Sequence, residues 1–319
     1  MISVAMALYN STRFIKEQLD SIRNQSVPVD EVVMVDDGSS DGTVELVNAY
    51  IEEFYLDNWK LICHKENHGY IDTFYDAIRE CVGDVILLCD HDDVWYPDKV
   101  KVISDVFKKN PEVLMLATSF TRVDEYGNLV RIKLKRNHAN NNLIRRKIKK
   151  EKLNKMTLYD VAIYNLSPGC TCAIKSTLKG EFLNNRSALP HDWTLSIISA
   201  CYDGLYFYDR PTTYYRIYDN NTIGLGHESR YEKRLKIVLN NYKEKKAMLE
   251  LVKQFEPVDS IKYKYCLRIL NVFALRKKGL ERKNVFISFR AIFESIGIGK
   301  LYESAIMDLI SLFKARIWE

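Results

Sequence analysis

The sequence predicts an α/β fold: a mostly parallel sheet with helices on both faces, continued by a helical C-terminal region. Three observations carry this. Over the first 120 residues, short apolar runs alternate with amphipathic segments, the rhythm of a parallel sheet covered on both sides. Those runs are rich in Val, Ile and Leu without polar alternation, as strands buried on two faces require. From Tyr231 onward the periodicity is helical only.

In chain order, strands are expected at Ile2–Leu8, Glu31–Val35, Trp59–Cys63, Asp84–Cys89 and Val113–Ser119. Between them Thr12–Asn24, Asp41–Phe54, Tyr70–Cys81 and Pro97–Lys109 place apolar residues at steps of three and four, with Ser11 and Ser40 as N-caps and Pro97 in a first helical turn. Val123–Val130 reads as a hairpin around Gly127-Asn128. Residues 131–155, basic and Asn-rich at Asn140–Asn142, read as a mobile loop. Residues 156–222 are mixed again, with strands at Leu205–Tyr208 and Thr213–Tyr218, and helices follow at Tyr231–Phe255, Ile261–Lys278, Val285–Ile296 and Leu301–Trp318. The organisation is thus one domain over 1–225, made of a front half 1–120, the loop and a second half 156–225, then a helical region 226–319.

Composition narrows the function classes. With 47% hydrophobic and 28% charged residues, the 319-residue chain is neither disordered nor a repeat array. Seven Cys at irregular positions do not form a disulfide framework, and Cys170-x-Cys172 lacks zinc-pair spacing. There is no run of about 18 apolar residues and no signal peptide, so a cytoplasmic protein that does not span the membrane is expected.

The net charge of +5 hides unlike parts. Residues 1–130 carry 11 Lys/Arg against 24 Asp/Glu, whereas 131–155 carry 11 against 1 and 231–319 carry 19 against 10. The acidic front suits a bound cation, and the basic back suits an anionic surface. Nucleic acid is disfavoured as a partner, because no aromatic residue for base stacking occurs between Tyr126 and Tyr159.

The most informative segment is Leu88-Cys89-Asp90-His91-Asp92-Asp93. An apolar strand that ends in three carboxylates concentrates like charge, which a cation relieves; hard oxygen ligands suit Mg²⁺ or Mn²⁺ with a substrate diphosphate completing the shell. A solvated acidic turn capping the helix after Pro97 is the alternative. A second pair, Asp36-Asp37 before Gly38-Ser39-Ser40-Asp41-Gly42-Thr43, sits where a strand-end acid accepts from a ribose hydroxyl or a base N–H, or else simply caps a turn.

Taken together, Ser3–Asn10, Val35–Thr43, Asn67-His68-Gly69 and Asp90–Asp93 resemble the N-terminal half of family 2 glycosyltransferases with the GT-A fold. The resemblance thins toward residue 225, where Gly169–Ile174, Pro190–Trp193 and Tyr214–Thr222 look most like a bacterial rhamnosyltransferase branch. It implies that Tyr9 and Asp37, with Ala7 and Asp36 nearby, cradle the nucleoside, and that Asn67 and Gly69 join this substrate-facing set. Asp90, Asp92 and Asp93 would hold the metal, with Asp92 the direct ligand and Asp90 also facing the donor. Asp192 would be the catalytic base, although an acid opening a helix after Pro190 can also be a helix-end carboxylate. His191 stands where the commoner pattern has an acid, and either orients Asp192 or is structural. Arg216 would approach the diphosphate, while Tyr218 replaces a usual His.

The function so implied is an inverting, metal-dependent hexosyltransferase. Its donor would be dTDP-L-rhamnose, or a UDP-hexose, and its acceptor a growing cell-surface polysaccharide or lipid-linked glycan. A nucleotidyltransferase would show a Gly-rich loop after the first strand, absent from Ala7–Ser11, and a non-catalytic nucleotide-sugar-binding protein would have lost a carboxylate. In the last helix, Tyr302, Ala305, Ile306, Leu309, Ile310, Leu312, Phe313, Ile317 and Trp318 form an apolar stripe with Lys300, Lys314 and Arg316 at its ends. It reads as core, as a homo-oligomer contact, or as a peripheral anchor on the anionic inner face of the plasma membrane.

Overall fold

The computed structural model describes residues 1–218, 230–299 and 301–318. Asp219–Thr222 of the last motif and Lys300 lie outside the described residues, as do the side chains of Lys314, Arg316, Ile317 and Trp318.

The strands are β1 (Ile2–Leu8), β2 (Glu31–Asp36), β3 (Trp59–Cys63), β4 (Val85–Asp90), β5 (Val94–Trp95), β6 (Met115–Val123), β7 (Leu153–Lys155), β8 (Cys172–Lys175) and β9 (Leu205–Arg216). They join in one sheet of order β3-β2-β1-β4-β8-β6-β9-β5, with β7 pairing β9. The first four are parallel to one another, and β6 and β9 pair in parallel. The helices α1 (Ile15–Arg23), α2 (Thr43–Glu53), α3 (Tyr70–Glu80) and α4 (Lys99–Lys109) form the crossovers, followed by α5 (Leu158–Val161), α6 (Ser176–Asn184) and α7 (His191–Cys201).

Alternation along the strands explains the two-sided burial. Val4, Met6 and Leu8 of β1, with Val32 and Met34 of β2 and Leu87 of β4, share one cluster with Ile15, Leu19 and Ile22 of α1, Val47 and Tyr50 of α2, and Val100, Ile103 and Phe107 of α4. Ala5, Val33 and Val35 point the other way and are equally buried, on the side where α3 packs against β1 and β2. Each such Val, Leu or Ile contributes about 1.5–3 kcal/mol by leaving water.

Three features depart from the sequence reading. Strand β8 runs antiparallel between β4 and β6 and so interrupts the parallel order. Strand β9 is continuous where two strands were expected. Pro211, which has no N–H to donate, is absorbed by register shifts against Thr118, Ser119 and Phe120. The segment read as a mobile loop is tied down. Leu153–Lys155 pairs with β9, Ala139 bridges Ile144, Asn141 donates to the Phe120 carbonyl at 2.9 Å, and Asn142 accepts from the Lys135 N–H at 2.7 Å. Asn140, Asn141 and Asn142 all have positive φ, which Asn tolerates better than most residues. The hairpin at 123–130 is present, its Asp124 carboxylate accepting from the Tyr126 and Asn128 N–H groups.

Residues 1–186 with 190–221 form one compact unit, and 222–319 with 187–189 a second. The second contains α8 (Arg230–Val252), α9 (Ile261–Glu281), α10 (Val285–Ser295) and α11 (Leu301–Trp318). A Cβ at Gly279 would lie 2.5 Å from Ser288 Oγ, so glycine lets α9 and α10 meet closely. Asp308 is buried with Arg276, which donates to it at 2.6 Å, and with Arg234 at 2.5 Å. The α11 stripe divides: Ala305, Leu309 and Leu312 are buried, whereas Tyr302, Ile306, Ile310 and Phe313 are exposed. Among the described residues, no helix is long and apolar enough to cross a membrane.

Candidate active site

Register brings the tips of three strands to one level. Leu8 pairs with Asp36 across β1 and β2, and Ala7 pairs with Asp90 across β1 and β4, so the two acidic motifs sit side by side at the C-terminal edge of the sheet. The loops after β1 and β2 are stitched together. Ser40 N–H donates to Asn10 Oδ1 at 3.0 Å, Asn10 N–H to Ser39 Oγ at 2.8 Å, and Thr12 and Thr43 both donate to Asp41. Burial pushes the Asp41 carboxyl upward, but the Thr43 and Thr12 donors outweigh it and hold it down at about 2.

Asp36 and Asp37 have different tasks. Asp36 accepts from Ser39 N–H at 2.8 Å and Ser39 Oγ at 2.5 Å, closing its own turn. Asp37 accepts from the N–H groups of His68 and Gly69, both at 2.8 Å, and its Oδ1 lies 3.0 Å from His64 Nδ1. Burial opposes its charge, yet these partners hold its carboxyl below the usual range. Of roughly four acceptor positions on a carboxylate, three are spent on the 64–69 loop. Gly38 permits this approach: with φ +75, a Cβ there would stand 3.2 Å from the Glu66 backbone. Tyr9 and Asn67 are exposed at the same edge, and Gly69, at φ +88, opens α3.

Asp90, Asp92 and Asp93 lie around the β4 tip. Burial, then Asp92 and then Asp192, raise the Asp90 carboxyl to about 7; burial, then Asp92 and Asp90, raise Asp93 well above the ordinary range. Asp93 Oδ1 accepts from Arg216 N–H at 2.9 Å, whereas its buried Oδ2 has no partner. The Tyr218 hydroxyl donates to Asp92 Oδ2 at 2.9 Å. One oxygen each of Asp90 and Asp93 and the Cys170 sulfur lie within 4.8 Å of one another. Crowded carboxylates with an orphaned, buried oxygen fit a hard divalent cation; the Cys170 thiol, kept protonated by burial, does not add to that set. Behind them Lys99 is fully buried, donating to the Cys170 carbonyl at 2.5 Å and Thr213 Oγ1 at 3.0 Å.

Asp192 occupies the first turn of α7 in the same unit, and its charge bears on Asp90. Its Oδ2 accepts from Asn165 Nδ2 at 2.8 Å and its Oδ1 from Trp193 N–H at 2.7 Å. Burial dominates and raises the carboxyl to about 6, against the Trp193 and Asn165 donors. A carboxylate with that proton affinity is well matched to general-base work near neutral pH.

Packing selects the structural one of the two readings left open for His191, and Arg216 differs from its expected role. His191 does not orient Asp192: it is buried, stacked on Phe74 at 3.7 Å between ring centroids, with both ring nitrogens unpartnered, and burial lowers its pKa to about 3. Gly169 seats against it, since a Cβ there would lie 2.6 Å from Nε2. Arg216 does not face an open diphosphate site. It donates from Nε to the Asp92 carbonyl at 2.8 Å, from Nη1 to the Glu125 carbonyl at 2.9 Å and from Nη2 to Glu17 at 2.6 Å, bracing the acidic loop from behind. Asn165, Lys99 and the Tyr218–Asp92 bond escaped sequence reasoning, for each is defined by a partner far away in the chain.

The chain is similar to known glycosyltransferases in sequence and in fold. A family model described as Glycosyl transferase family 2 matches residues 3–166. The dTDP-rhamnosyl transferase RfbG of Shigella flexneri is 29% identical over 260 residues, covering 76% of this chain and 82% of that protein. Chondroitin synthase of Escherichia coli is 29% identical over 131 residues, 41% of this chain and 18% of that protein. Among solved structures, S. aureus TarS 1-349 in complex with UDP-GlcNAc superposes with a TM-score of 0.59 at 17% identity, covering 98% of this chain and 89% of that one. The mannosyltransferase PcManGT from Pyrobaculum calidifontis, in complex with GDP-Man and Mn2+, gives 0.56 at 16% identity, with 99% and 87% covered.

Proposed function

This chain belongs to glycosyl transferase family 2 and is a glycosyltransferase, and we propose that it moves L-rhamnose from dTDP-L-rhamnose onto a hydroxyl of a growing cell-surface glycan, with inversion. The observation that carries the chemistry is Asp192, a buried carboxylate in the first turn of α7 that is raised to about 6 and whose charge bears on Asp90 at the tip of β4. Asp192 takes the acceptor hydroxyl proton as that oxygen attacks the anomeric carbon, and the bond to the nucleoside diphosphate breaks on the opposite side. No covalent sugar–enzyme intermediate is needed. Asp92, Asp90 and Asp93 would hold Mg²⁺ or Mn²⁺, which when bound neutralises charge on the departing diphosphate. The exposed Tyr9 ring offers a face to a pyrimidine, and the likeness to a dTDP-rhamnosyl transferase over three quarters of the chain supports rhamnose over a UDP-hexose.

Thermal shift separates the donors. With Mn²⁺ present, dTDP is expected to raise the melting temperature most, UDP less and GDP not at all; a ligand at about 100 times its Kd adds about 2.7 kcal/mol to the folded state. A shift with GDP alone would remove the pyrimidine assignment.

The acceptor in this reading is carried on a lipid at the inner leaflet, and the helical unit rests on that anionic surface. Phe286, Phe289 and Phe293 of α10 are exposed, as are the four α11 residues named above, and residues 231–319 carry 19 Lys/Arg against 10 Asp/Glu. The protein is expected to sediment with phosphatidylglycerol vesicles but not with phosphatidylcholine vesicles, and Phe286→Asp with Phe293→Asp should release it. A stable dimer lost in that double variant, with no vesicle binding, would assign the face to a second copy of the chain.

A further inference from the structure

We propose that the cavity between the 132–150 segment and the rim of β6 and β9 is an acceptor subsite that takes one sugar residue of the glycan; this rests on the transferase reading above and adds to it where the acceptor sits. The cavity has a volume of about 460 Å³, inside the ~300–1,000 Å³ span of small-molecule sites. Its position follows from the sheet. Leu87 of β4 and Leu116 of β6 both face Ala173 of β8, so Ser119, which lines the cavity, is level with Asp90. The two are separated by two strand spacings, about 10 Å.

One wall of the cavity is Asn140. It is 3% exposed; its Nδ2 donates to the Leu166 carbonyl at 2.8 Å and to Ser167 Oγ at 3.1 Å, while its buried Oδ1 has no partner. A buried amide oxygen without a donor is uncommon and costly, and a ligand O–H would satisfy it. The same wall leads to the base: Leu166 N–H donates to Asn165 Oδ1 at 2.9 Å, and Asn165 Nδ2 donates to Asp192 at 2.8 Å. The shape is preformed, because Asn140, Asn141 and Asn142 are held in the left-handed region by side-chain bonds to backbone.

The lining chemistry identifies a sugar rather than a phosphate. Asp209 is an acceptor and would repel anionic oxygens; Lys147 and Lys150 are donors, and Ile132 and Ile148 are aliphatic. A sugar ring brings hydroxyls that donate and accept, together with C–H faces for the aliphatic side chains. A phosphate group brings acceptors alone.

Saturation-transfer NMR with methyl glycosides of L-rhamnose, D-glucose, D-galactose and N-acetyl-D-glucosamine tests this, with calorimetry of dTDP and Mn²⁺ on the same samples. At least one glycoside is expected to bind wild type. Ile148→Trp, which fills the cavity, should abolish that binding, and Asp209→Asn should weaken it about tenfold, as the loss of one charged hydrogen bond does. Nucleotide binding should be unchanged in both. Absence of glycoside binding to wild type, or equal binding to wild type and variants, overturns the subsite, whatever the nucleotide does. Should Ile148→Trp fail to fold, unchanged binding in both Asp209→Asn and Lys150→Ala overturns it equally. Glycoside binding lost in the variants of a protein that binds no nucleotide keeps the subsite and rejects the transferase reading instead.

Discussion

Asp192→Asn is expected to keep donor binding and lose transfer. A general base is worth about 10²–10⁴-fold, so kcat should fall by that factor while the calorimetric Kd of nucleoside diphosphate with Mn²⁺ stays the same. The amide keeps the shape of the side chain and its place at the start of α7, which separates loss of the base from loss of fold. The pH dependence carries a second signature. Asp192 must be ionised to accept a proton, and its carboxyl is raised to about 6, so transfer should be flat well above that pH and fall tenfold per unit well below it. Asn165→Ala removes a donor that favours the ionised form, so the inflection should move upward. A fully active Asp192→Asn enzyme, or an inflection that stays in place in Asn165→Ala, would remove the base assignment.

Asp92→Ala is expected to abolish metal-dependent donor binding. Even residues that only support metal ligands cost about 10–100-fold in affinity when lost, so a direct ligand should cost more than about 100-fold. The measurement is calorimetric titration of dTDP with and without Mn²⁺. Wild type should bind tightly only with the metal, and the variant weakly in both cases. Asp92 is the informative position because its Oδ2 accepts from the Tyr218 side-chain hydroxyl, whereas Asp93 anchors the Arg216 backbone. Unchanged affinity with Mn²⁺ would take Asp92 out of the ligand set and leave Asp90 and Asp93 to hold the ion.

The legible parts of this protein were those with local causes. Val32–Val35 and Ile86–Leu88 announce buried strands through continuous apolar character, and the α1, α2 and α4 crossovers through residues at helical spacing. The acidic tip of β4 was legible because three like charges within four residues are costly unless function repays them. Short or interrupted strands were not legible. Val94–Trp95 and Leu153–Lys155 are too brief to show a period, and β9 runs through a proline that sequence rules place at a break. His191 was left open between two roles, and Arg216 was read as a diphosphate contact, for one reason: both types carry chemistry when exposed, and only packing tells whether they are. Phe74 from α3 covers one, and the Asp92 and Glu125 carbonyls occupy the other.

By itself, then, the sequence determined the alternation of strands and helices, the carboxylates Asp36, Asp37, Asp90, Asp92 and Asp93 at strand ends, and the basic stretch after the hairpin. Periodicity and local charge are properties of neighbours in the chain. Only the tertiary structure decided which carboxylates remain available, how Asn165 and burial set the proton affinity of Asp192, and that three successive asparagines shape a cavity rather than a loose loop. Those outcomes depend on desolvation and on hydrogen bonds between residues far apart in sequence, whose strength is set by where the fold brings them and not by the residues beside them.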